Sequence, residues 1–293
     1  MNILLIAGHG NGDPGACATF NGTTYRESDL ARYVVNALKT RLAPFMGVTV
    51  YDTARCAYDD YINGTLRNRA NFSKQDYVLE IHFNACSRDT GDGSTKGVEA
   101  YVPTAETSYG VETAICKNVA ACGLRNRGVK KKNWSVIYTA KKAGVSACLL
   151  EVCFIDDADD MKIYGAKFSE IMDGIAKGIV EGFGVGTYKA ETEVVTKSAE
   201  SAQAATKPST AVKKTSSARS FSADYKHTYR VKANGGLNMR YGAGTSNGII
   251  KTLTDGSKFI CYGYYTKTKD GTIWLLGVDS SGVVGFCSKS YLI

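Results

Sequence analysis

Three histidines occur in 293 residues, and two of them close strand-like apolar runs. His9 follows Asn2-Ile-Leu-Leu-Ile-Ala-Gly8, and His82 sits within Tyr77-Val-Leu-Glu-Ile-His-Phe83. Glu27 lies between them, just ahead of a helical pattern, and Glu151 falls inside a third apolar run, Ala147-Cys-Leu-Leu-Glu-Val-Cys-Phe154. Two imidazoles and one carboxylate make a three-ligand zinc site with an open position, and a further carboxylate can carry protons. Spacing alone does not say which glutamate would bind the metal.

The loop after the first run, Gly8-His-Gly-Asn-Gly-Asp-Pro-Gly-Ala16, is rich in glycine and can turn tightly enough to expose His9 at the mouth of a strand. Asp13 is placed to orient His9, because a ligating imidazole normally donates its other N–H to an oxygen. Strand alternation puts Glu80, His82 and Asn84 on one face. Glu80 and Asn84 are therefore candidates for supporting His82 or for binding substrate, and Glu80 could equally pair with a nearby cation. Glu151 could instead be a buried, partnered core carboxylate, but an unpaired one is costly. Arg69 reads as a structural ion-pair former. Lys130, Lys131 and Lys132, ahead of Trp134, read first as a solvated loop and second as a groove edge that meets peptide carboxylates. A Cys153 nucleophile paired with His82 is a weaker alternative.

Placing these groups requires strands with ligands at their carboxyl ends. Strand-like runs fall at Ile3–Ala7, Val48–Asp52, Tyr77–Asn84, Val98–Val102, Ser135–Thr139 and Cys148–Phe154. Several are continuously apolar, as strands covered on both faces should be. Helical patterns alternate with them at Ser28–Leu42, Thr104–Cys122 and Asp159–Phe183. The expectation is an α/β unit over 1–185, with a twisted, mostly parallel sheet flanked by helices. Residues 186–224 are dominated by Ala, Thr, Ser, Lys and Glu and read as a flexible linker, with a short fluctuating helix near Glu191–Ala205. From 225 to 293 short β-rich runs alternate with glycine turns, which predicts a small all-β barrel domain on a tether without fixed geometry. Ten aromatic residues occur in these last 69, more than so small a core needs, so some should line a groove.

Four motifs in order carry a resemblance across residues 1–185: the Gly8–Ala16 loop, Tyr25-Arg-Glu-Ser-Asp-Leu30, Glu80-Ile-His-Phe-Asn-Ala85 and Leu149-Leu-Glu-Val-Cys-Phe154, with Leu66-Arg-Asn-Arg-Ala-Asn71 between them. The set resembles the zinc-dependent N-acetylmuramoyl-L-alanine amidases. The resemblance implies that His9, Glu27 and His82 hold Zn2+ and that Glu151 is the catalytic carboxylate. It implies a peptidoglycan substrate cut between glycan and stem peptide. Cys153 and Glu80 depart from the family's usual residues. The stretch Gly236-Leu-Asn-Met-Arg-Tyr-Gly-Ala-Gly-Thr-Ser246, with Trp274 and the closing Gly285-Phe-Cys-Ser-Lys-Ser-Tyr-Leu292, resembles bacterial Src-homology-like wall-binding domains. Tyr241, Tyr262, Tyr264, Tyr265 and Trp274 are the candidate wall-binding residues there.

Composition agrees with a wall enzyme and excludes other classes. Residues 1–185 hold 21 Lys+Arg and 21 Asp+Glu, whereas 186–293 hold 15 and 7, so the net charge of +8 sits entirely in the C-terminal part. No apolar run approaches the ~20 residues that span a bilayer, and the first run lacks the flanks of a secretory signal. Neither direct membrane insertion nor a nucleic-acid partner is expected. The nine cysteines are odd in number and form no CxxC pair, which suits a reducing cytoplasm. Together these features look like a phage endolysin, made without a signal peptide and reaching the wall through a holin-opened membrane. A host autolysin, a non-catalytic wall-binding protein and a zinc carboxypeptidase remain as alternatives.

Overall fold

A computed structural model of the chain describes residues 1–10, 12–20, 23–86, 89, 91–189, 218, 220–279 and 283–293. The first sheet is built from β1 (Asn2–Ala7), then, after the β2 (Cys17–Phe20) and β3 (Thr23–Arg26) hairpin and helix α1 (Glu27–Leu42), from β4 (Gly47–Val50). Short helices α2 (Ala57–Ile62) and α3 (Leu66–Ala70) lead to β5 (Tyr77–Asn84) and β6 (Val98–Val102). Helix α4 (Gly110–Ala120), β7 (Asn126–Lys131), α5 (Ser135–Lys142), β8 (Ser146–Phe154), α6 (Ala158–Ala166) and α7 (Phe168–Gly182) complete this part. The strand order is β4-β1-β5-β8-β6-β7, and every neighbouring pair is parallel except β6 with β8.

Both faces of the sheet are buried, which is why the strands read as unbroken apolar runs. Ile3, Leu5, Leu79 and Ile81 face one core with α1, α4 and α7. Leu4, Ile6, Val78 and Leu149 face the other, with Ala57, Leu66, Val136 and Ile137. Three expectations are corrected. Ser135–Thr139, expected as a strand, is the start of α5, whose Val136, Ile137 and Ala140 share a buried helix face although Val136 and Ile137 are β-branched. The pattern taken as one helix over Asp159–Phe183 breaks at Lys167 into α6 and α7. The basic run expected to be a loop lies largely in edge strand β7.

The C-terminal strands β9 (Ser220–Arg230), β10 (Leu237–Arg240), β11 (Ile249–Leu253), β12 (Lys258–Lys267), β13 (Ile273–Asp279) and β14 (Val284–Ser288) form one antiparallel sheet, in the order β11-β10-β14-β13-β12-β9. Its inner face closes a small core around Met239, Phe259, Cys261, Leu275 and Cys287. Its other face is also covered. Tyr264, Trp274, Leu276, Val278, Val284 and Phe286 belong to the same core as α1, α4 and α7. The Tyr264 ring lies parallel to Tyr33 of α1, 5.7 Å away, and beside Tyr164 and Phe168. Lys226 pairs with Asp29 at the start of α1. In place of the expected free tether, the described residues seat the sheet on the α/β part, and Tyr264, Trp274 and Phe286 are the aromatic residues that serve that seam. The linker expectation falls mostly on 190–217 and 219, outside the described residues. At its two ends Tyr188 is buried with its hydroxyl on Asp173 (2.8 Å), and Ser220–Asp224 already belong to β9.

Candidate metal centre

His9 is the second residue after β1. It sits in a left-handed backbone conformation (φ 62°), which puts the imidazole over the end of the sheet. Arg32 of α1 anchors the neighbourhood, donating to Ser28 O (2.5 Å), Thr53 O (2.6 Å) and, at 3.5 Å, His9 O. Glu27 opens α1 and is 4% exposed. His82 lies near the carboxyl end of β5, which is parallel to and hydrogen-bonded with β1. Two glycines make the approach possible. A Cβ on Gly8 would fall 2.5 Å from the His82 ring, and one on Gly15 (φ 64°) would fall 2.6 Å from His9 and 2.7 Å from Glu27.

The three side chains converge. Glu27 Oε2 lies 3.1 Å from His9 Nε2, and Glu27 Oε1 lies 2.8 Å from His82 Nδ1. The two rings meet edge to face with centroids 4.9 Å apart. One donor atom from each residue lies within 4.8 Å of the others, the only such group of three or more among the described residues. Backbone N–H groups of Ala16 (2.8 Å) and Phe83 (3.0 Å) fix the Glu27 carboxylate. Asp13 Oδ2 meets His9 Nδ1 at 2.7 Å, and Glu80 Oε1 meets His82 Nε2 at 3.3 Å. Asn84 turns elsewhere, donating to Glu99 Oε1 at 2.6 Å.

The electrostatics here favour positive charge between the carboxylates. Burial alone would raise Glu27, yet hydrogen bonds from His82 and His9 hold it far below the usual carboxylate range. Burial opposes protonation of His82, but its contacts with Glu27 and Glu80 push its pKa well above the usual value, and Glu27 raises His9 in the same way. The carboxylates thus draw both imidazoles toward their protonated form, and a divalent ion would compete with those protons for the ring nitrogens. Two imidazoles, one carboxylate and an oriented partner on His9 are a donor set that fits zinc.

Glu151 stands beside this cluster. It pairs in register with His82 on one side and Glu99 on the other. Its Oε2 is buried without a hydrogen-bond partner, and burial pushes its pKa up to about 7. Cys153 is fully buried and its thiol is pushed well above the usual range, so it is not the thiolate a nucleophile needs.

Other candidates separate. Arg69 pairs with Asp60 (3.2 Å). Asp60 was not foreseen. It is 1% exposed and also accepts from Tyr51 (2.6 Å), Arg55 (2.5 Å) and Thr65 (2.8 Å). Glu99 was also missed, although a lone glutamate in the apolar run Val98–Val102 is the same signal that picked out Glu151. Of the wall-binding candidates, Tyr264 is 2% exposed in the seam and is withdrawn, because no ligand can reach its ring. The side chain of Tyr262 lies outside the described part. Tyr265 packs on Tyr225 (4.9 Å) and Tyr241 is half-buried. Trp274, although mostly buried, contributes to a cavity of about 1030 Å³ with Arg240, Lys232, Lys269 and Tyr291.

Residues 3–181 match the family described as N-acetylmuramoyl-L-alanine amidase. The N-acetylmuramoyl-L-alanine amidase LytC of Bacillus subtilis is 27% identical over 158 residues, covering 54% of this chain and 30% of that protein. An uncharacterized 38.4 kDa protein of Clostridium perfringens is 27% identical over 184 residues, covering 61% of this chain and 51% of its own. The chain thus spans about half or less of these relatives. Among solved structures, an N-acetylmuramoyl-L-alanine amidase from Clostridium difficile 630 shares the fold, with a TM-score of 0.50 and 22% identity over 62% of this chain and 96% of its own. The catalytic domain of the CwlV amidase from Bacillus (Paenibacillus) polymyxa var. colistinus does so with a TM-score of 0.50 and 24% identity, over 64% and 100%.

Proposed function

The chain belongs to the N-acetylmuramoyl-L-alanine amidase family, and we propose that it hydrolyses the amide between the lactyl group of N-acetylmuramic acid and the L-alanine of the stem peptide, with zinc held by His9, Glu27 and His82. The observation that carries this reading is the convergence of those three side chains beside Glu151, whose Oε2 is buried without a hydrogen-bond partner. Bound there, zinc supplies Lewis acidity toward water and the scissile carbonyl. The protein does the rest. Asp13 fixes the orientation of His9, and two backbone N–H groups fix Glu27. Glu151, with its pKa near 7, takes the proton from the attacking water at Oε2 and returns it to the departing alanine nitrogen.

The C-terminal sheet serves as the wall-binding module in this reading, supported by its excess of basic residues and by the Trp274 cavity. The protein acts as an endolysin, made in a reducing cytoplasm, as nine unpaired cysteines support. Digestion of purified walls tests the chemistry. New N-terminal alanine, lost on chelation and in Glu151→Ala, is expected. New reducing ends would instead mean a glycosidase, and wall binding without release would mean a non-catalytic protein. Expression inside a host, with lysis only when a membrane pore is opened, tests the endolysin role against that of an exported autolysin.

A further inference from the structure

Glu99 is 1% exposed, yet it accepts four hydrogen bonds: from Asn84 Nδ2 (2.6 Å), Tyr101 Oη (2.9 Å), Arg127 Nε (2.5 Å) and Lys130 Nζ (2.5 Å). Arg127 and Lys130 are three positions apart on one strand, and regular alternation would send them to opposite faces. A bulge removes that conflict. Val98 pairs with Asn126 and Ala100 with Val129, so Arg127 and Gly128 together oppose Glu99, and Gly128 takes φ 72°. The Arg127 guanidinium also lies 4.9 Å from the Phe154 ring, and Lys130 lies 5.6 Å from that of Tyr101.

The cluster stands beside the proposed reaction centre, since Glu99 is the register neighbour of Glu151 and Asn84 ends the strand that carries His82. Two cations share one carboxylate, so one positive charge is left over. The side chains of Arg127 and Lys130 are 29% and 40% exposed, so both keep an open side. Glu99 holds the Arg127 guanidinium at Nε, and Nη1 donates to Lys96 O at 3.4 Å. The adjacent lysines are occupied, Lys131 on Glu106 O (2.8 Å) and Lys132 over Trp134 (3.6 Å).

The geometry points to a carboxylate-binding subsite made by Arg127 and Lys130, mounted on Glu99, that holds a carboxylate of the peptide on the leaving side of the scissile amide. This rests on the amidase reading. The glycan side offers no free carboxylate there, because its lactyl carboxyl is the acyl half of the bond being cut. The peptide carries the others. A guanidinium and an ammonium held side by side on one carboxylate, each with an open side, suit a second carboxylate, and such charge-assisted bonds are stronger than neutral ones. Arg127 and Lys130 are thus specificity residues, and Glu99 is a positioning residue.

The test uses the full chain, loaded with zinc, and two synthetic substrates: N-acetylmuramoyl-L-alanyl-glutamate with both glutamate carboxyls free, and the same compound with both amidated. Wild type is expected to favour the free acid in kcat/KM by roughly tenfold, with the difference mainly in KM. Lys130→Gln and Arg127→Gln should each shrink that ratio, and Lys130→Arg should restore it. Equal kcat/KM on the two substrates in wild type overturns the subsite, and this comparison needs no variant to fold. A ratio that survives both glutamine variants also overturns it. Cleavage of both substrates at one rate leaves the amidase reading intact, whereas cleavage of neither overturns that reading and the subsite with it.

Discussion

His9 occupies a backbone conformation that non-glycine residues adopt at an expense of about 1–3 kcal/mol, and such strain persists only where neighbours over-determine it. Here Asp13 grips the ring while Arg32 and Glu27 hold the loop and the far nitrogen. Asp13→Ala should leave the fold intact but weaken zinc binding about 10- to 100-fold, read by chelator competition. Glu151→Gln should retain stoichiometric zinc and lose at least about 10²-fold in turnover, which separates proton transfer from metal holding. Gly8→Ala should do the reverse, lowering zinc content first, because its methyl meets the His82 ring. Histidine and isolated glutamate are rare enough in apolar runs that His9, His82 and Glu151 stand out in the bare sequence. Glu27 was picked out by resemblance, and its contacts emerge only when β1 and β5 lie side by side. Lys130 was legible as part of a groove edge, but its pairing with Arg127 was hidden because a bulge breaks the period from which a face is read.

Element by element, alternation and periodicity located β5 and β6 to the residue, since both are long apolar runs buried on two sides. They failed at α5, where β-branched residues mimic a strand, and at Lys167, where the helix breaks two residues after Gly165. The start of α6 holds a titrating group that no sequence pattern flagged. Asp157 caps this helix by accepting from Asp160 N (2.8 Å). Asp160 itself is fully buried and accepts from Gly97 N and Phe154 N, both at 2.8 Å. Burial pushes the Asp160 carboxyl up to about 6, above its unfolded value of about 3.9. The folded state therefore binds more protons than the unfolded state between those values, and this stabilisation is present at low pH and lost as pH rises through about 6. Relative to Asp160→Asn, wild type should lose about 2 kcal/mol between pH 4 and pH 7, measured as urea unfolding free energies. An unchanged difference across that range would refute the assignment.

For the molecule as a whole, the seam around Tyr33, Tyr164, Phe168 and Tyr264 decides how the two sheets behave. Residues on alternate sides of β13 face two different cores, Leu275 inward and Leu276 toward α1 and α7. The run Trp274-Leu-Leu-Gly-Val278 carried this signal, since it lacks the polar alternation that an exposed outer face would show. Composition led instead to a free tether, because a linker-like stretch says nothing about whether its ends come to rest on each other. Thermal unfolding should show one cooperative transition for the full chain. Tyr264→Ala should destabilise it by about 3–5 kcal/mol, as large-to-small changes in packed aromatic sites do. It should also split the transition in two.

The doubly covered β13 has a bearing on how such proteins are assembled from parts. A binding module that touches its enzyme only through a string can be traded for another by cutting the string. The C-terminal sheet here has lent its outer face to the amidase part, so grafting a foreign module in its place would leave α1 and α7 with a bare greasy flank. Swapped chimaeras of this chain should therefore clump, unless Tyr33 and Phe168 are made polar in the same stroke.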